Sequence, residues 1–131
     1  MEKIALLITT TRNALSTLQS ILEESPSDII RDATIQRFEY CTDLVWKVLQ
    51  VYHASEGILC NSPKGCFRQA LQTGLITPED VIIGLSMIDD RNLTSHIYRE
   101  EVASEIFQKI PGYYLCMIRV ITAVETAVAT R

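Results

Sequence analysis

No Cys-x-x-Cys pair occurs among the four cysteines, no apolar run approaches a bilayer span, and no net positive charge is present. The first absence speaks against zinc and against a disulfide framework. Cys41 and Cys116 fall in apolar helical patterns where small hydrophobes belong, and Cys60 and Cys66 flank Asn61-Ser62-Pro63 as the one pair that could bridge. All four are expected to be free thiols. A membrane helix needs roughly 20 consecutive apolar residues, and the Met1-Glu2-Lys3 start has no signal-peptide layout. A cytoplasmic protein without a membrane role is expected. The formal net charge of -4 argues against a surface that traps nucleic acid everywhere. It leaves room for a local basic cleft, which dimerisation could build from two sets of arginines and lysines. There is also no internal repeat, no low-complexity linker and no composition break, so residues 1–131 read as a single domain.

A chain of 131 residues with 47% hydrophobic and 21% charged side chains can bury a core of its own, and the apolar surplus points to an oligomer interface as well. The periodicity is helical throughout. Ile4, Leu7, Ile8, Leu15, Leu18, Ile21 and Leu22 form one stripe of a first helix near residues 2–24, stopped by Ser25-Pro26. Ser27 or Asp28 can cap a second helix running to about Glu56, with a seam through Ile30, Phe38, Cys41, Val45, Val48 and Tyr52 and a stop at Gly57. Ser62-Pro63 starts a short third helix that Gly74 ends, and Thr77-Pro78 starts a fourth that reaches about Ser95. From about Glu100 a fifth carries apolar residues at spacings of three and four as far as Val128, with a kink or break expected at Pro111-Gly112. The fold class that follows is all-α, an up-and-down four-helix bundle with an additional short helix.

Chemistry concentrates at the end of the fourth helix. Val81, Ile82, Ile83, Leu85, Met87 and Ile88 read as buried, and then Asp89-Asp90-Arg91-Asn92-Leu93-Thr94-Ser95-His96-Ile97-Tyr98 turns polar. Arg91 and His96 stand in the spacing Arg-x-x-x-x-His-x-Tyr. An imidazole titrating near about 6.5 can take and return a proton, and a guanidinium can neutralise charge developing on a phosphoryl group. On one straight helix the two would diverge by about 140°. Either the helix ends near His96 and turns the imidazole back, or a second subunit supplies the missing group across a twofold axis. Asp89 and Asp90 point about 100° apart and make a poor metal-ligand pair, so no metal and no cofactor are expected. Arg37 lies on the apolar seam of the second helix and needs a partner; Asp89 or Asp90 could serve, as a structural ion pair or as support for the site.

The ordered blocks Ile29 to Tyr40, Asp43-Leu44-Val45-Trp46-Lys47, Ser62-Pro63, Phe67-Arg68-Gln69-Ala70, Gly74-Leu75-Ile76 and Asp89 to Tyr98 resemble the HEPN proteins of the nucleotidyltransferase substrate-binding type. The resemblance spans most of the chain. It implies a HEPN-like bundle, a homodimer or larger oligomer, and a partner minimal nucleotidyltransferase (MNT), as in HepT-like toxins of toxin–antitoxin pairs. It further implies a metal-independent ribonuclease acting on RNA, with Arg91 and His96 catalytic, Asn92, Asp90 and Arg37 supporting them, and Tyr98 the acceptor of AMP from the partner. A different function carried by the same resemblance is a non-catalytic subunit that completes the substrate pocket of a partner nucleotidyltransferase. Arg99 departs from the family, whose members commonly place a polar or acidic capping residue there, and this weakens the start of the last helix.

Overall fold

The computed structural model describes residues 2–131. Five α-helices follow one another: α1 (Glu2–Leu22), α2 (Asp28–Ser55), α3 (Pro63–Gln72), α4 (Pro78–Leu93) and α5 (Glu100–Ala129), with a 3₁₀ turn, Thr94–His96, between α4 and α5. Among the described residues there is no strand. α2 and α5 form the central pair, flanked by α1 on one side and by α4 with the short α3 on the other. Neighbouring side chains give the directions. Arg31 at the start of α2 meets Glu100 at the start of α5, and Glu56 after α2 meets Arg131 after α5, so these helices run parallel. Asp80 and Asp90 along α4 meet Arg119 and Lys109 in turn, and α1 has Ile4 near Arg131 but Ile21 and Leu22 near Phe107 and Pro111, so α1 and α4 run the other way. The four-helix bundle with one extra short helix is as the sequence analysis expects.

The caps are local. Ser27 accepts from the Ile30 backbone N–H at 3.1 Å, which decides between Ser27 and Asp28 as the α2 cap. Ser62 and Thr77 do the same for α3 and α4, each followed by proline at the first helical position. Arg99 precedes α5 without a side-chain cap. Gly57 and Gly74, with φ of 79° and 72°, take the left-handed conformation that ends the preceding helices. The core collects the seams: Ile4, Leu15 and Leu18 from α1, Phe38, Val45 and Leu49 from α2, Met87 from α4, and Ile106, Ile110, Met117 and Ile121 from α5.

Several expectations are corrected. α5 continues through Pro111, so of the kink or break expected there the break does not occur. Proline removes one backbone hydrogen bond, at about 3 kcal/mol, but Ile106, Ile110, Tyr113 and Cys116 are buried on both sides of it and hold the helix together. α5 is also long and apolar enough, by length and a mean hydropathy of 1.3, to pass as a membrane span. No unbroken apolar run is needed for that average, and the helix turns its apolar seam to α2 and α4. Ile82, read as buried, is 69% exposed, because the α4 stripe that faces the core runs through Val81, Met87 and Ile88. Cys60 and Cys66 are joined in a disulfide, with Cα atoms 5.1 Å apart, whereas free thiols were expected. The turn into α3 brings Cys66 back under Cys60. Cys41 and Cys116 are free and buried, and burial pushes both thiols up to about 12, which leaves them inert.

Two predictions follow from this packing. The Phe67 ring of α3 lies close against Gly84 of α4, so a Cβ there would collide with it. Gly84→Ala should lower stability in denaturant titration by about 1–3 kcal/mol, and an unchanged midpoint would contradict the close approach. His53 is fully buried, with Nδ1 donating to the Leu49 carbonyl at 2.8 Å and Nε2 3.3 Å from the Thr73 hydroxyl. Burial lowers its pKa, so the folded state prefers the neutral ring while the unfolded chain takes a proton at about 6.5. Its contribution is complete above the unfolded value and is lost as pH falls below it. Thermal midpoints measured from about pH 7 to 5 should fall, and His53→Gln should flatten that slope.

Candidate functional site

The polar segment after α4 is built by a change of helix type. α4 ends at Leu93, two residues before the sequence analysis places its end, and Thr94–His96 tightens into a 3₁₀ turn. Thr94 is buried, and its hydroxyl lies 2.7 Å from the Arg91 carbonyl and 2.6 Å from Glu39 Oε2, which anchors the turn. Ile97 packs on the core, whereas His96 and Tyr98 are exposed, Tyr98 by 78%. The helix thus ends before His96, but the turn carries the imidazole toward Tyr98 and not back to Arg91.

Arg91 points across to α2. Its Nε and Nη2 donate to the two oxygens of Asp43, both at 3.0 Å, and Nη1 donates to Glu39 at 3.2 Å and to Thr94 at 3.1 Å. Glu39 and Asp43 are four residues apart on one face of α2, so both reach the same guanidinium. The hydrogen bond to Asp43, ahead of the attraction of both carboxylates, raises the Arg91 pKa and keeps the group charged. Two carboxylates against one guanidinium leave the cluster with a formal charge of -1. Both carboxylates fall within the blocks that carry the family resemblance, yet the sequence analysis assigns them no role; their four-residue spacing is the signal that could have found them.

His96 faces another partner. Its Nδ1 lies 3.2 Å from the Tyr98 hydroxyl, and the rings meet edge to face at 5.8 Å between centroids. No hydrogen bond joins Arg91 to His96 among the described residues. Asn92 is exposed, and its side chain has no hydrogen-bonding partner among the described residues. Asp90 and Arg37, expected beside Arg91 and His96, lie elsewhere. Asp90 is 6% exposed and turned toward α5, where it accepts from the Tyr113 hydroxyl at 2.5 Å and pairs with Lys109 at 3.4 Å. Arg37 donates to the Thr17 carbonyl of α1 at 2.6 Å and pairs with neither aspartate; Asp89 pairs with Lys64. The reason is helical phase: Arg37 faces α1, and Asp90 is turned about 100° around α4 from Arg91, toward α5, whereas Arg91 meets α2. A cavity of about 530 Å³, lined by Gln50, Ser55, Leu59 and Arg131 among others, opens at the other end of the bundle. No group of three or more His, Cys, Asp or Glu that could hold a metal ion is found among the described residues.

Comparison with known proteins agrees with this architecture. Residues 6–126 match the family described as nucleotidyltransferase substrate binding protein like. No curated protein matches the sequence. Among solved structures, a Thermus thermophilus protein is 42% identical, with a TM-score of 0.83 over 87% of this chain and 98% of its own. A Haemophilus influenzae protein, reported to reveal the fold of a substrate binding domain of a nucleotidyltransferase, is 22% identical, with a TM-score of 0.76 over 90% and 98%. The toxin–antitoxin MntA-HpeT, solved as a mutant, offers a chain 15% identical with a TM-score of 0.82 over 96% and 99%. The last two are likenesses of fold. With the family matched over nearly the whole chain, the protein belongs to the nucleotidyltransferase substrate binding protein-like family of helical bundles.

Proposed function

We propose that this protein is the helical member of a nucleotidyltransferase pair and that the Arg91–His96 end of its bundle is a metal-independent ribonuclease site. The observation that carries this reading is an exposed imidazole set one short turn beyond an arginine that is held charged and oriented. His96 would take the proton of a ribose 2′-hydroxyl, which attacks the neighbouring phosphate, while Arg91 stabilises the charge of the transition state. The product would carry a 2′,3′-cyclic phosphate, and DNA would be untouched. The exposed side chain of Asn92 would orient the phosphate. A second copy of the chain would complete the cleft. AMP placed on Tyr98 by the partner enzyme would put charge and bulk beside His96 and close the site.

A specific observation favours a second reading. Arg91 already directs all three of its nitrogens to Asp43, Glu39 and Thr94. On that basis the segment would be a docking or substrate-positioning surface for the nucleotidyltransferase, without chemistry of its own.

Incubation of total RNA with the purified protein and with its His96→Ala variant, in EDTA, separates the two. Cleavage to cyclic-phosphate ends by the wild type alone is expected. Intact RNA with both proteins, with Tyr98 unmodified by mass spectrometry, would favour the substrate-binding subunit. The carboxylates add a further expectation. Asp43→Asn makes the cluster neutral while keeping an acceptor, so a short RNA should bind several-fold more tightly, measured by fluorescence anisotropy in a His96→Ala background. Since the pair is partly exposed, stability should fall by no more than about 1 kcal/mol. Unchanged or weaker binding would place the phosphate away from Arg91.

A further inference from the structure

We infer that His96 and Tyr98 form a base–nucleophile dyad, in which His96 Nδ1 takes the phenol proton as Tyr98 Oη attacks the α-phosphorus of a nucleoside triphosphate. This rests on the reading of Tyr98 as an acceptor of AMP, and it adds the residue of this chain that would make the acceptor reactive. A phenol is a weak nucleophile near neutral pH, because its ordinary pKa is about 10. It needs a base in contact with its oxygen. His96 Nδ1 stands 3.2 Å from that oxygen, within direct proton-transfer reach. Neither ring has another hydrogen-bonding partner among the described residues, and Tyr98 is 78% exposed, so an electrophile delivered by a partner enzyme can reach Oη. The Arg99 guanidinium, next in the chain, is turned to Glu101 and leaves the phenol free.

The step balances within the two reactants. With the imidazole proton on Nε2, Nδ1 accepts from the phenol. The bond from Oη to phosphorus forms, the bond from phosphorus to pyrophosphate breaks, and the phenol proton moves to Nδ1 and then to solvent.

The test uses the full chain and a small activated adenylate, adenosine 5′-phosphorofluoridate, from which fluoride leaves. Labelling is located by peptide mass spectrometry in the wild type, Tyr98→Phe, His96→Ala and His96→Ala with added imidazole. Adenylylation at Tyr98 of the wild type is expected, with a loss of about 100-fold in His96→Ala and recovery with imidazole, since a positioned base contributes on that order. Recovery by a free base is a result that a merely structural histidine would not give. Labelling of Tyr98 in His96→Ala at the wild-type rate would overturn the dyad while leaving Tyr98 as an acceptor. A wild-type protein that labels elsewhere and never at Tyr98 would also overturn it. The acceptor reading is judged separately, by the mass of Tyr98 after coexpression with a minimal nucleotidyltransferase.

Discussion

Tyr113 is the point on which three helices depend. Its ring stacks on Phe38 at 5.5 Å between centroids, joining α5 to α2 in the centre of the bundle. Its hydroxyl donates to Asp90 and meets Ser86 at 2.8 Å, which ties α4 to the same pair. Burial, ahead of the hydrogen bond to Asp90, raises its pKa, so the phenol stays protonated and remains a donor. A buried carboxylate without that donor would be strongly unfavourable. The end of α4 is therefore held from within on one side, by Asp90, and from α2 on the other, by Arg91.

That double hold explains how an exposed polar segment can sit at the end of a buried helix. The residues that carry polarity or charge inward are satisfied: Asp90 by Tyr113 and Lys109, Arg91 by Asp43 and Glu39, Thr94 by Glu39. The residues left over, Asn92, His96 and Tyr98, face solvent around a short 3₁₀ turn. Rigid support beneath and exposed side chains above is the arrangement on which both proposed readings draw. They differ in whether the Arg91 guanidinium is available to a phosphate.

Much of the architecture was legible from local signals. Ser62-Pro63, Thr77-Pro78, Gly57 and Gly74 act within a single turn, so the helix ends they mark are where the pattern puts them. The apolar seams of α1, α2 and α5 were equally plain, because a spacing of three and four residues survives whatever the helix packs against. The effect of Pro111 was not legible, since its local penalty is opposed by burial along a 30-residue helix. The exposure of Ile82 was hidden for a related reason: a run of apolar residues does not say which of them turns outward.

By itself, then, the sequence determined that the chain is a helical bundle, where its helices start and stop, and that Arg91, His96 and Tyr98 gather at one helix end. These are consequences of backbone capping and side-chain period, which act over a few residues. The tertiary structure alone decided that Arg91 belongs to Asp43 and Glu39, that Asp90 turns to Tyr113, that Arg37 lies over α1, and that Cys60 meets Cys66. Each of these partnerships depends on which helices are neighbours and on their relative rotation, and the packing of distant residues sets both.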